Sequence, residues 1–338
     1  MASTALNEKQ PERNAPMDRA TYSRRAACAA AIATASGLAS PAHAADYPTR
    51  SVELVVPSSA GGGTDIVARA FADVARKYFP QPIIVLNRPG ASGAIGMGEV
   101  LNARPDGYKI GMLIVELSIL QLINQVRYGT DDFRLIARLN GDPAALLVPA
   151  GAPWNTVQDF LAEARRRPGQ ITVGNSGIGS IWHLGAAALE EKTGTQFLHV
   201  PYQGSAPGLL ALIGGHVQSM VVSPGEATAH VQGGKLKILA VMADRRESGF
   251  PDAPTLKEQG IDLSLGNWRA VAMPKATPQP VAETVAELTR KIAADPAFRE
   301  SIGRSNLGFT YAEAPEFEAA LREEREFFRR ITSNLALN

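Results

Sequence analysis

The chain has 338 residues and one cysteine, Cys28. An internal disulfide is therefore excluded, and so is a cysteine-built metal site. A charge excess is also missing, with 34 Lys and Arg against 33 Asp and Glu. Nucleic acid is then a poor partner, because binding phosphates needs clustered cations. The run Arg165-Arg166-Arg167 closes an amphipathic stretch, where positive charge suits the helix dipole. No later segment is apolar enough to span a bilayer: the longest candidate, 110–123, carries Glu116 in its middle. His199, His216 and His230 lack metal-ligand spacing with Asp, Glu or Cys, so no metal is expected. No Gly-Lys-Ser/Thr occurs, which removes a nucleotide P-loop. No cofactor is implied.

What is present begins with a leader. Arg24-Arg25 precedes a stretch of small and apolar residues, and Ala42-His43-Ala44 has the A-x-A cleavage pattern. This reads as a secretory signal peptide over 1–44, cut after about Ala44, which places the mature chain outside the cytoplasm. Ser23-Arg24-Arg25 hints at a twin-arginine route, although Ala27 stands where a bulky residue belongs. Met17 is an alternative start. Cleavage would remove five basic and three acidic residues, leaving 29 and 30, and would remove Cys28. Cys28 lies early in the apolar region, which speaks against a lipid anchor.

Hydrophobic content of 45% and a charged fraction of 20% belong to a folded globular protein. Strand-like runs at 52–56, 83–86, 110–115, 146–148, 171–174, 197–200, 220–222, 238–242 and 268–273 alternate with helical periodicity. Thr156-Val157-Gln158-Asp159 predicts a capping box opening a helix to Arg167. The alternation predicts an α/β architecture with largely parallel sheets and helices on both faces. Pro149-Ala150-Gly151-Ala152-Pro153 and the segment 274–280 look like breaks between lobes. They divide the chain into lobe one, 46–147 plus 268–338, and lobe two, 148–267. Open α/β sheets bind ligands beyond the carboxyl ends of their strands.

Three loops sit at such ends. Pro57-Ser58-Ser59-Ala60-Gly61-Gly62-Gly63-Thr64-Asp65 joins the first strand to the first helix. Its glycines let amides approach a ligand, and the helix start favours a carboxylate or phosphate. The plainer reading is a tight turn capped by Thr64 or Asp65. Gly174-Asn175-Ser176-Gly177-Ile178-Gly179-Ser180 forms a second uncharged cradle, with His183 one helical turn further. Ile178 spoils a nucleophile elbow, so a hydrolase using Ser176 or Ser180 with His183 is the weaker rival. Val200-Pro201-Tyr202-Gln203-Gly204-Ser205-Ala206-Pro207 is the third loop.

These loops, in this order on an exported bilobed chain, resemble the Bug family. Its members are TctC-type periplasmic substrate-binding proteins of tripartite tricarboxylate transporters. The resemblance spans about 46–331. It also rests on Asn87-Arg88-Pro89-Gly90-Ala91-Ser92-Gly93, Pro105-Asp106-Gly107-Tyr108, Gly214-Gly215-His216-Val217 and Gly234-Lys235-Leu236-Lys237. It implies a type II periplasmic-binding-protein fold with a hinge and a central cleft. It implies a periplasmic, non-enzymatic receptor that holds a small organic acid by amides, hydroxyls and water, without a dedicated arginine; a monomer is expected, since delivery by closure needs no symmetric partner. A membrane permease would be the partner, and a membrane sensor kinase is an alternative one. Ser58, Ser59, Ala60, Gly61, Gly62, Gly63, Thr64, Asp65, Ser176, Gly177, Gly179, Ser180, His183, Ser205 and Ala206 are the ligand-site candidates. The chain departs from the family pattern at Ser58, Trp182, Glu116 and Ser223-Pro224. In the cleft, Trp182 would favour a flat or apolar ligand body. Glu116 there would repel a carboxylate or pair with a cationic group.

Overall fold

The structure is a computed structural model describing residues 47–334. The leader, Cys28 and the cleavage point fall outside the described residues. Among the described residues no helix is long and apolar enough to cross a membrane.

In the first lobe, β1 (Val52–Val56) lies between β2 (Ile83–Asn87) and β3 (Lys109–Ile114), parallel to both. Side chains alternate along β1. Val52, Leu54 and Val56 share a core with Val67, Phe71 and Val74 of α1 (Gly63–Ala75). Val55 points the other way, to Met97 and Val100 of α2 (Ala94–Leu101). A fully buried Phe such as Phe71 is worth about 3–5 kcal/mol against Ala in a setting like this. The first lobe is completed by β9 (Gly266–Pro274), β10 (Phe309–Glu313) and three helices after β9. A short helix, α3 (Glu116–Ile119), follows β3 directly.

The second lobe repeats the plan. There β5 (Ile171–Asn175) is parallel to both β6 (Phe197–Pro201) and β7 (Ser219–Val222). Its helices are α4 (Val157–Arg166), α5 (Ile181–Thr193), α6 (Ser205–Ile213) and the short α7 (Thr228–Gln232). The predicted capping box opens α4: Thr156 Oγ1 accepts from the Asp159 amide at 3.1 Å, and Asp159 Oδ2 accepts from the Thr156 amide at 3.0 Å. On the first-lobe side, the helices after β9 are α8 (Gln279–Ala294), α9 (Pro296–Gly303) and α10 (Ala314–Asn334).

Parallel pairing holds on the flanks, while the strands joining the lobes run antiparallel. The reason is connectivity. The 17-residue strand β4 (Phe133–Pro149) carries the chain out of the first lobe, and β9 returns beside it. Over 133–143 β4 pairs with β9; over 144–149 it pairs with β8 (Leu236–Met242). Its partner therefore changes between Pro143 and Ala144, earlier in the chain than the break expected at 147/148. The sequence pattern revealed only 146–148 of this strand. Asn140, Gly141, Asp142 and Pro143 interrupt its apolar run, yet Asn140 is 0% and Asp142 5% exposed. At the crossing the two backbones nearly touch: a Cβ on Gly266 would lie 2.3 Å from the Asp142 carbonyl oxygen. Only glycine fits there.

Candidate functional site

The β1–α1 loop is organised by Asp65. Its Oδ2 accepts from the Gly61 amide at 2.9 Å and from Arg69 Nε at 2.9 Å, and its Oδ1 accepts from Asn87 Nδ2 at 3.0 Å. Burial would raise the Asp65 pKa, but Arg69, the Gly61 amide and Asn87 outweigh it, and the carboxyl is held below its ordinary value. Asp65 thus shapes the loop. Ala60 and Gly61 are exposed on its outer side. Ser59 Oγ donates to the Gln203 carbonyl of the opposite lobe.

A cavity of about 50 Å³ lies between the loops. Of the sequence candidates, Ser58, Gly62, Gly63, Thr64, Ser176 and Ser205 line it; Ser59, Ala60, Gly61, Asp65, Gly177, Gly179, Ser180, His183 and Ala206 do not. Trp182 and Glu116 also line it. The buried Ser58 hydroxyl has no hydrogen-bond partner. The lobes touch around this space: Ser92 Oγ donates to the Ile178 carbonyl at 2.6 Å.

The uncharged cradles expected at the starts of α1 and α5 both hold protein carboxylates. The Gly63 amide donates to Glu226 Oε2 at 3.1 Å. The Ile181 amide donates to Glu116 Oε1 at 3.0 Å. First-turn amides have no intrahelical acceptor, and a carboxylate is the partner a helix N-terminus favours. At α6 the third cradle presents Gly204 and Ser205 to the cavity, and no carboxylate of the protein is bonded there among the described residues.

Sequence reading missed the group behind the cavity. Arg269 on β9 lines the cavity wall and is 2% exposed. Nη1 donates to Asp142 Oδ2 at 2.5 Å and to Asn140 Oδ1. Nη2 donates to Glu226 Oε1 at 2.9 Å and Nε to Thr64 Oγ1 at 3.1 Å. The resemblance implied a solute held without a dedicated arginine; an arginine does stand on the wall, but four of its N–H groups are given to protein oxygens. Gly63 is required beside it, since a Cβ there would lie 2.4 Å from Arg269 Nη2. A signal was available in the sequence. A lone cation inside an apolar strand must find buried acids elsewhere in the chain.

Two more groups complete the wall. Trp268 donates from Nε1 to Glu324 Oε2 at 2.8 Å, and Ser118 Oγ donates to the same oxygen at 2.9 Å. Burial pushes the Glu324 pKa up to about 7 against the pull of Trp268, Ser118 and Arg138. Burial likewise pushes Glu116 up to about 7, opposed by the amides of Ile181 and Glu116 and by Arg269, and reinforced by Glu226.

The Ser–His pairing required by the hydrolase reading is not formed. Ser180 caps α5, its Oγ accepting from the His183 amide at 3.2 Å. The His183 ring is turned away, Nδ1 accepting from the Gly179 amide at 3.1 Å and the ring edge meeting His199. Burial, with His199 beside it, pushes the His183 pKa down to about 4. Among the described residues no group of three or more His, Cys, Asp or Glu is placed to hold a metal.

Comparison with known proteins adds independent information. The model of the family described as "Tripartite tricarboxylate transporter family receptor" matches residues 67–337. A UPF0065 protein of Cupriavidus necator is 34% identical, covering 95% of this chain and 99% of the relative. The crystal structure of a TctC solute-binding protein from Polaromonas, with no ligand, is 46% identical with a TM-score of 0.64, covering 86% of this chain and 100% of the other. MatC from Rhodopseudomonas palustris with bound malate is 25% identical with a TM-score of 0.80, covering 84% and 99%.

Proposed function

The chain belongs to the tripartite tricarboxylate transporter receptor family, and from that premise we propose that it captures a small organic carboxylate between its lobes in the periplasm and delivers it to a membrane permease. The observation that carries this reading is the cavity itself. It lies between two lobes, is lined by amides and hydroxyls, and includes a buried Ser58 hydroxyl with no protein partner. A buried polar atom left unpaired costs about 1–3 kcal/mol, and a bound acid would remove that cost.

Two further observations support the reading. MatC, with malate, superposes better than the Polaromonas protein, although the latter is nearly twice as similar in sequence. The contacts across this cavity hold the two lobes against each other around it. The Ser180–His183 geometry supports binding without chemistry. Export by the 1–44 leader and function as a monomer belong to the same proposal.

Isothermal titration with a panel of C3 to C6 organic acids tests it. Saturable one-to-one binding, weakened by Ser58→Ala, is the expected result. Absence of heat and of thermal stabilisation with every acid would refute it.

A further inference from the structure

The cavity has an asymmetry that the uncharged-cradle picture does not contain. Of the three helix starts around it, two are already matched with carboxylates of the protein, Glu226 at α1 and Glu116 at α5. Arg269 has little left for a second ligand carboxylate: four of its five N–H groups go to Thr64, Asp142, Asn140 and Glu226, which leaves a single N–H on Nη2. What remains is the start of α6 with the hydroxyls of Ser58, Ser176 and Ser205, enough for one carboxylate. Against it stands Glu116, 5% exposed on the cavity wall, its carboxyl met by the Ile181 amide and its own amide but by no cation in direct contact.

The local charge points the same way. Glu226 and Asp142 together exceed the one guanidinium they share. A second ligand carboxylate would enter a buried site that is already net negative, where like charges are poorly screened. An ammonium group would instead complete it.

On the solute-binding reading above, we propose that Glu116 sets the ligand class: the cavity takes a small zwitterion with one carboxylate and one ammonium group, the carboxylate at the start of α6 and the ammonium against Glu116. The groups facing Glu116 are few. Arg269 on β9 and Glu226 on the turn after β7 act on it through space. Across from α3, α5 meets Glu116 with the Ile181 amide, while the His183 ring is turned to Gly179 and His199. From α10, Glu324 reaches Ser118 on the helix that Glu116 begins. Binding an ammonium beside Glu116 ionises its carboxyl and releases a proton to the buffer. Had a ligand carboxylate been placed there, Glu116 would have to become its hydrogen-bond donor and take a proton up.

Three matched probes test this. β-Alanine is succinate with one carboxylate replaced by an ammonium, and propionate has neither group at that end. Calorimetry on the full chain should rank β-alanine above propionate and propionate above succinate, with β-alanine roughly tenfold or more tighter than succinate. Glu116→Gln should erase that preference. Titrations of the unaltered protein in buffers of different ionisation heat should show net proton release on binding β-alanine near pH 7, because burial raises the Glu116 pKa to about 7. This second measurement holds even if the variant fails to fold. Tighter binding of succinate, or proton uptake, overturns the zwitterion assignment and leaves the solute-binding reading standing. If no probe and no other organic acid binds, both fall.

Discussion

The loops after β5 and after β6 are built alike: a strand, a glycine turn, a serine, a helix. Yet the start of α5 accepts Glu116 from the other lobe, with Ser180 folded back as a cap. The start of α6 meets no protein carboxylate among the described residues and turns Ser205 to the cavity. The difference was written far away in the chain, in what the opposing lobe sends across. Two helix ends with equal intrinsic appetite for an anion acquire different work, one holding the lobes together and the other facing solute.

The largest effect comes from the residue that supplies counter-charge to this arrangement. Arg269→Ala leaves Asp142 and Glu226 buried without their cation, and chemical denaturation should show a loss of about 3–5 kcal/mol. An unchanged midpoint would mean the cluster contributes nothing to stability.

Next is pH. Glu116 and Glu324 titrate at about 7 in the folded protein, whereas 4.5 is the ordinary value. Between those values the folded state carries more protons than the unfolded one, so stability falls as pH rises from below 4.5 through 7 and levels off above it. Each group accounts for about 3 kcal/mol. Glu116→Gln should remove one share, read as a flatter dependence of unfolding free energy on pH from 5 to 8. A rising curve over that range contradicts the assignment.

The smallest effect addresses the two loops directly. Ser180→Ala should cost about 1 kcal/mol of stability, as loss of a helix cap does, with solute affinity unchanged. Ser205→Ala should do the reverse, weakening solute binding roughly tenfold with little change in stability. Equal effects of the two would dissolve the distinction between the loops.

Much of this was legible in the sequence for a simple reason. Period-two and period-3.6 patterns survive wherever one face meets a core, so the flanking strands of both lobes fell within a few residues of their observed limits, whereas β10 and the short helices α3 and α7 were too short or too exposed to show one. The pattern failed where the lobes join. Asn140, Asp142 and Pro143 look like a loop, because their polarity answers to Arg269 and not to the local core. Glu116 stood out, being an acid in an apolar stretch. Its partner Ile181 did not, since an amide has no signature in composition. Arg269, a lone cation in an apolar strand, announced a need for buried acids but not which ones: Glu226 is ordinary until both are placed.

The single unbroken strand β4, running beside β9 at the junction, has a mechanical consequence. Two neighbouring ribbons, in continuous register from Asn140 to Pro143 after a shift at Arg138/Asn140, set Gly141 opposite Trp268 and Pro143 opposite Gly266, and resist shear and torsion but yield to flexing out of their plane. They behave as a leaf spring. Any parting of the lobes would have to bend both strands together near Gly141 and Trp268.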